Sequence, residues 1–252
     1  MQSNPFSLLF EPKDDAHFQT EEIALILECT IANTSAMISC LKTKSEQNVI
    51  AAMATFDNEK IETSQSWIKN QYQRWGPVID GDEIPMNQFD AFAQKLPSSR
   101  KRILLGSNSD EGITFVSDTD SNAPYFKILG IIRQQTRNSK EAPAAAQLQK
   151  LYPERGDSRE VLAKSATDYL FMCPARKVAS DLTRAGNRVW VYLLAQPVSM
   201  LKGLGIPVKA IHGVDLIFLF NNIEDIGWFS MTSEEKEISA QMILYWNNFA
   251  RS

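Results

Sequence analysis

The chain has 252 residues, 44% of them apolar and 22% charged, which is the composition of a folded globular protein with a sizeable core rather than of a disordered one. Its 26 Lys and Arg are interspersed with 30 Asp and Glu for a net charge of −4, so no basic block marks it for nucleic acid or anionic lipid. No apolar run reaches the roughly 18 residues of a membrane span, and Met1 is followed by Gln2-Ser3-Asn4-Pro5 without the basic and apolar regions of an export signal.

The first element in chain order is the stretch TEEIALILECT, with Ile23, Leu25, Ile26 and Leu27 behind Thr20, which predicts a helix capped by the Thr20 hydroxyl. A second short helix is expected around Ala36 to Leu41, bringing Cys40 back towards Cys29. These two cysteines are 11 positions apart and enclose Asn33-Thr34-Ser35, an N-glycosylation acceptor. Either feature alone reads as a pair of reduced cysteines or a chance sequon. Together they favour an oxidising compartment.

Gly76-Pro77 and Asp80-Gly81 then bracket a short extended segment at Val78-Ile79. Phe89, Phe92 and Leu96 follow at helical spacing and lead into an apolar strand, Arg102 to Leu105. After it comes GSNSDEG, Gly106 to Gly112, with Asp110 and Glu111 side by side where a buried parallel strand would run out. A helical apolar face is read between Ala123 and Arg137. A longer amphipathic helix runs from about Arg159 to Ala185, with a kink or break at Pro174. Gly186-Asn187 ends it, and Val189 to Leu194 form a β-branched and aromatic run that reads as a buried strand. The tail predicts a surface helix capped by Thr232 or Ser233, with Glu234 or Glu235 in its first turn and Ile238, Met242, Tyr245, Trp246 and Phe249 facing inward. Helices alternating with strands argue α/β with a mainly parallel sheet, although two clear strands and one doubtful one make a small sheet for this length.

Of the two histidines, His212 lies in KAIHGVDLIFLF; a lone histidine beside a glycine is more often structural than catalytic. The segments around it change that weighting. LLGSNSDEGITF, DYLFMCPARKVASDL, VWVYLLAQPVS, AIHGVDLIFLF and TSEEKEISAQMILYWNNFARS, in this order, closely resemble the type-B carboxylesterase and cholinesterase family of α/β-hydrolases. The likeness runs almost from Met1 to Ser252.

The resemblance implies a Ser, Glu, His triad in that chain order, with Glu111 as acid and His212 as base, and Asp110 as a surface or loop-capping group. It implies a disulfide between Cys29 and Cys40, leaves Cys173 without a partner in this stretch, and puts the protein outside the cell or in the lumen of the endoplasmic reticulum. The substrate class is a small-molecule ester, and no cofactor or metal is implied. No G-x-S-x-G elbow occurs in the chain, and Asn108 stands in the middle of GSNSD. Residues 1–252 therefore read as the carboxyl-terminal half of an α/β-hydrolase, a partial sheet with many helices that lacks the nucleophile-elbow half and is inactive alone. Gln71, Gln73 and Thr114 stand where dedicated acetylcholinesterases carry aromatic residues, and Asp215 where relatives carry Glu. The competing readings are a non-catalytic neuroligin-like adhesion protein that keeps the fold, and an incomplete gene product with no independent function.

Overall fold

A computed structural model describes residues 1–60, 75–94, 100–116, 125, 145–154, 156–221 and 230–251. The chain divides into two compact units, one of Leu8–Gln88 and one of Met1–Ser7 with Phe89–Ser252.

In the first unit a two-residue strand β1 (Glu11–Pro12) precedes helices α1 (Lys13–Ile26), α2 (Thr34–Leu41) and α3 (Glu46–Lys60), and pairs in parallel with β2 (Val78–Ile79). Helix α1 begins seven residues before Thr20, so the expected cap is wrong. The Thr20 hydroxyl lies inside the helix and donates to the Ala16 carbonyl at 2.8 Å. Asp14 and Asp15 in the first turn favour the earlier start, because carboxylates there oppose the positive end of the helix dipole. The helix ends in a Schellman turn, with Glu28 N–H donating to Leu25 and Cys29 N–H to Ala24, and Glu28 takes the left-handed conformation (φ 57°). That turn aims Cys29 at Cys40 on α2, and the two form a disulfide with Cα atoms 5.8 Å apart. Asn33 caps α2, its side chain accepting from Ala36 N–H at 2.9 Å. Ile23, Ala24, Leu27, Met37, Ala52 and Phe56 close a core around the disulfide.

The second unit is built on two parallel strands, β3 (Arg102–Asn108) and β4 (Arg188–Leu194), paired from Arg102 with Arg188 to Asn108 with Leu194. Strand β3 runs three residues beyond the expected Leu105. Residues 1–3 lie along its other edge, Ser3 N–H donating to Gly106 O at 2.9 Å and Gly106 N–H to Met1 O at 3.2 Å. After α4 (Gln88–Ala93) and β3, a 3₁₀ turn (Glu111–Phe115) follows, then α5 (Ala145–Leu151) and α6 (Ser158–Ala166). Six residues of π-helix (Thr167–Met172) join α6 to α7 (Cys173–Arg184). The expected break at Pro174 is instead this change of pitch. Pro174 sits in the first turn of α7, where its missing N–H costs little. Short helices α8 (Met200–Gly203) and α9 (Val214–Phe220) lead to α10 (Ser233–Arg251). The expected segments between Ala123 and Arg137, and Leu96, lie outside the described residues apart from Tyr125.

Helix α7 covers one face of the strands through Ala175, Val178, Ala179 and Leu182, packed on Leu105, Ile103 and Val189. Burying Leu105 completely is worth on the order of 2 kcal/mol. Helix α10 covers alternate residues of β4, with Phe249 edge-on to Trp190 and Trp246 edge-on to Tyr192. Thr232 and Glu235 form a reciprocal capping box at its start. Strand β4 is not the buried strand its composition suggests: Val191 and Leu193 are 55% and 51% exposed. Helix α7 reaches their neighbour Val189 but does not extend over them.

Candidate active site

Strand β3 ends at Asn108, and the chain turns at once into the 3₁₀ segment that opens with Glu111. Gly112 makes this turn possible. A β-carbon there would stand 1.9 Å from the Ala163 carbonyl oxygen, so only glycine lets the turn press against α6. Strand β4 runs beside β3, and Asp110 N–H donates to Ala210 O at 3.0 Å, which ties the returning loop to the same rim of the sheet. His212 follows two residues later, and Gly213, at φ 87°, turns the chain into α9.

Glu111 is fully buried, and its two oxygens are divided among three partners. Oε2 lies 2.6 Å from His212 Nδ1. Oε1 accepts from Asn108 N–H at 2.7 Å and from the Ser3 hydroxyl at 2.5 Å. A carboxylate only accepts, so Nδ1 of a neutral His212 carries the proton and Nε2 keeps its lone pair. The imidazole is about one-third exposed and packs against the rings of Phe115 and Phe171, each centroid 5.2 Å away. It is thus held at one nitrogen and against a stacked pair of aromatic rings, with the other nitrogen directed away from the carboxylate.

Beneath this pair lies a second buried carboxylate, Asp215. It accepts from Gln2 at 2.9 Å, Asn108 Nδ2 at 3.3 Å and the Tyr192 hydroxyl at 3.4 Å. Burial, and after it the Asp215 charge, push the Tyr192 phenol far above its ordinary range, so it stays protonated and donates. Asn108 links the two acids, its backbone on Glu111 and its side chain on Asp215 and Ile211 O.

Asp110, the neighbour of Glu111, does not meet the imidazole. Its side chain accepts from Ser109 Oγ and lies 3.6 Å from Lys209 Nζ; Asp110 stands at the amino end of the 3₁₀ segment, without a side-chain capping bond. Thr114 is exposed within the 3₁₀ turn, while Gln71 and Gln73 lie outside the described residues. Cys173 is a free cysteine on an exposed residue, and partial desolvation, then the Asp168 charge, raises its thiol pKa. Reasoning from sequence missed Ser3, Asn108, Phe115 and Phe171 as neighbours of the pair. Ser3 is more than a hundred residues from Glu111, and no spacing rule connects them.

Parallel strands sandwiched by helices, with a buried acid and a part-exposed base meeting at the carboxyl rim, define the mixed α/β fold of part of an α/β-hydrolase. The carboxylesterase family model matches residues 1–252, and the chain belongs to that family. Acetylcholinesterase of Bungarus fasciatus is 27% identical over 248 residues, covering 90% of this chain and 38% of that protein. The cAMP-regulated D2 protein of Dictyostelium discoideum is 28% identical over 257 residues, 98% of this chain and 45% of its own length. Human cocaine esterase is 25% identical over 257 residues, 91% and 40%. The chain therefore spans about two fifths of the length of these curated relatives. Among the described residues no helix is long and apolar enough to cross a membrane.

Proposed function

We propose that this chain supplies the acid and base of a Ser, Glu, His relay for carboxylic-ester hydrolysis, Glu111 and His212 serving a serine that is not among its residues. The observation that carries the reading is the 2.6 Å contact between Glu111 Oε2 and His212 Nδ1, made across 101 residues. In such a relay Nε2 takes the serine proton during attack on the ester carbonyl and returns it to the leaving alcohol. Glu111 holds the tautomer and stabilises the imidazolium formed between the two steps. Ser3 is not a substitute nucleophile. Its hydroxyl is buried and donates to the acid, not to the base.

By this reading the 252 residues alone do not hydrolyse esters, since both nucleophile and oxyanion donors are lacking. Turnover of a p-nitrophenyl ester by the purified chain, lost in His212→Ala, would overturn that statement. Fused behind the nucleophile-bearing segment of a family relative, the chain should support hydrolysis that His212→Ala and Glu111→Ala each abolish. Hydrolysis by the fusion that survives both substitutions would sink the assignment.

We further propose an extracellular or lumenal setting with a glycan on Asn33. The disulfide supports it, and so does the exposure of Asn33, whose Oδ1 caps α2 while Nδ2 is the atom a glycan takes. Asn33→Asp keeps a capping oxygen but cannot be glycosylated. In a secreting host it should remove any mobility shift produced by deglycosylation without lowering the melting temperature of the deglycosylated protein.

A further inference from the structure

The π-helical segment Thr167–Met172 reaches the residue next to Glu111 at one end and the His212 ring near the other. At its start Thr167, 3% exposed, accepts from Gly112 N–H at 2.9 Å and donates to Ala163 O at 2.9 Å. Near its end Phe171, 1% exposed, lies against the His212 ring with centroids 5.2 Å apart, and stacks with Phe115 at 5.7 Å. Thr167 and Phe171 are four residues apart, close to one turn, so both side chains face the same side of the helix.

A threonine inside a helix ordinarily does no more than donate back to the carbonyl four residues earlier. Thr167 does this and uses its oxygen once more, as acceptor for the backbone N–H next to the acid. Gly112 N–H is buried, and the Thr167 hydroxyl accepts its hydrogen bond. Without the hydroxyl that N–H would be left unsatisfied, and the 3₁₀ turn carrying Glu111 would shift to find a partner. Helical segments of this pitch are uncommon and recur at functional sites, where they re-aim side chains.

We propose that Thr167 is a positioning residue for the acid–base pair: through Gly112 it fixes where the Glu111 carboxylate stands, while Phe171 on the same π turn fixes the plane of the His212 ring. This rests on the reading of Glu111 and His212 as acid and base, and neither Thr167 nor Phe171 touches the reacting atoms.

The test uses the intact 252-residue chain. It has two histidines, so in a His17→Gln background every imidazole signal in a nitrogen-15 NMR spectrum belongs to His212. The readouts are the tautomer, from the two ring-nitrogen shifts, and the solvent-exchange rate of the Nδ1 proton. Glu111→Gln should abolish the fixed Nδ1–H tautomer; if it does not, the acid–base reading itself fails, whatever Thr167 does. Given that loss, Thr167→Val should speed exchange of the Nδ1 proton at least fivefold, and Thr167→Ser should restore it to within twofold of the parent. Exchange unchanged in a folded Thr167→Val chain would overturn the proposal and leave the Glu111–His212 pair standing. Should Thr167→Val not fold, Phe171→Leu carries the decision. Faster Nδ1 exchange in that variant supports the role of the π turn, and a parental rate overturns it.

Discussion

Two regions of the larger unit bury a glutamate with almost no exposure, the turn after β3 and the amino end of α10. Glu111 and Glu235 each accept three hydrogen bonds, and each is reached by a serine from elsewhere in the chain. Glu235 accepts from Ser199 N–H at 2.6 Å, Ser199 Oγ at 2.9 Å and Thr232 N–H at 2.8 Å. Glu111 accepts from Asn108 N–H, Ser3 Oγ and the His212 ring. Depth and hydrogen-bond number are therefore the same for a helix cap and for a candidate catalytic acid. What separates them is the partner. Every donor to Glu235 is a neutral group that cannot titrate near neutral pH, whereas Glu111 holds an imidazole whose second nitrogen is left able to accept a proton. Burial of a carboxylate marks a structural commitment; only the company of a part-exposed base makes it a candidate for chemistry.

The largest expected difference is in rate. In the fusion described above, Glu111→Gln should lower kcat/KM for a p-nitrophenyl ester by about 10³ to 10⁴, as loss of a triad acid does elsewhere. Glu235→Gln should leave it within a few-fold once the folded fraction is accounted for. An equal loss in both would erase the distinction. Stability should show the reverse emphasis. Glu235→Ala leaves three part-buried donors without their acceptor and should cost roughly 1 to 3 kcal/mol in a denaturant melt, with no change in the His212 ring-nitrogen shifts.

A finer test pairs the two serines. Ser3→Ala and Ser199→Ala each remove one hydroxyl from a buried carboxylate and should each cost about 1 to 2 kcal/mol. Only Ser3→Ala should alter the His212 signal.

The smallest effect belongs to an exposed carboxylate that serves as a control. Asp157 caps α6 through Arg159 N–H, and the hydrogen-bonded Arg159 guanidinium, followed by that N–H, holds its carboxyl below the usual range. A depressed folded value means the stabilisation is present above the unfolded value of about 3.9 and is lost as pH falls through the folded one. Asp157→Ala should therefore cost under about 1 kcal/mol at pH 7, because both groups are partly solvated, and the difference from the parent should shrink towards zero below about pH 3.

Much of the larger unit was legible because its signals are local. The β-branched and apolar runs at Ile103 and Val189 announce strands, and Thr232-Ser233-Glu234-Glu235 spells a capping box. The family likeness points from SDEG and HGVD to Glu111 and His212 without any coordinates. The start of α1 was misread because Thr20 has the chemistry of a cap at a place where helix already exists upstream. The exposure of β4 was misread because composition reports what a strand would bury, not whether anything reaches it.

What tertiary structure alone decided is the set of contacts made across long separations. The disulfide spacing is local and readable, but the Schellman turn at Glu28 that aims Cys29 depends on where α1 ends. Ser3 at Glu111, Asn108 between two acids, and Phe115 and Phe171 against one imidazole carry no periodicity and no motif. Each arises where chain segments about 40 to 110 residues apart are brought to one strand end by parallel pairing and by a π turn. A hydrogen bond is satisfied by position in space, and sequence records position only as far as a helix turn or a strand repeat extends.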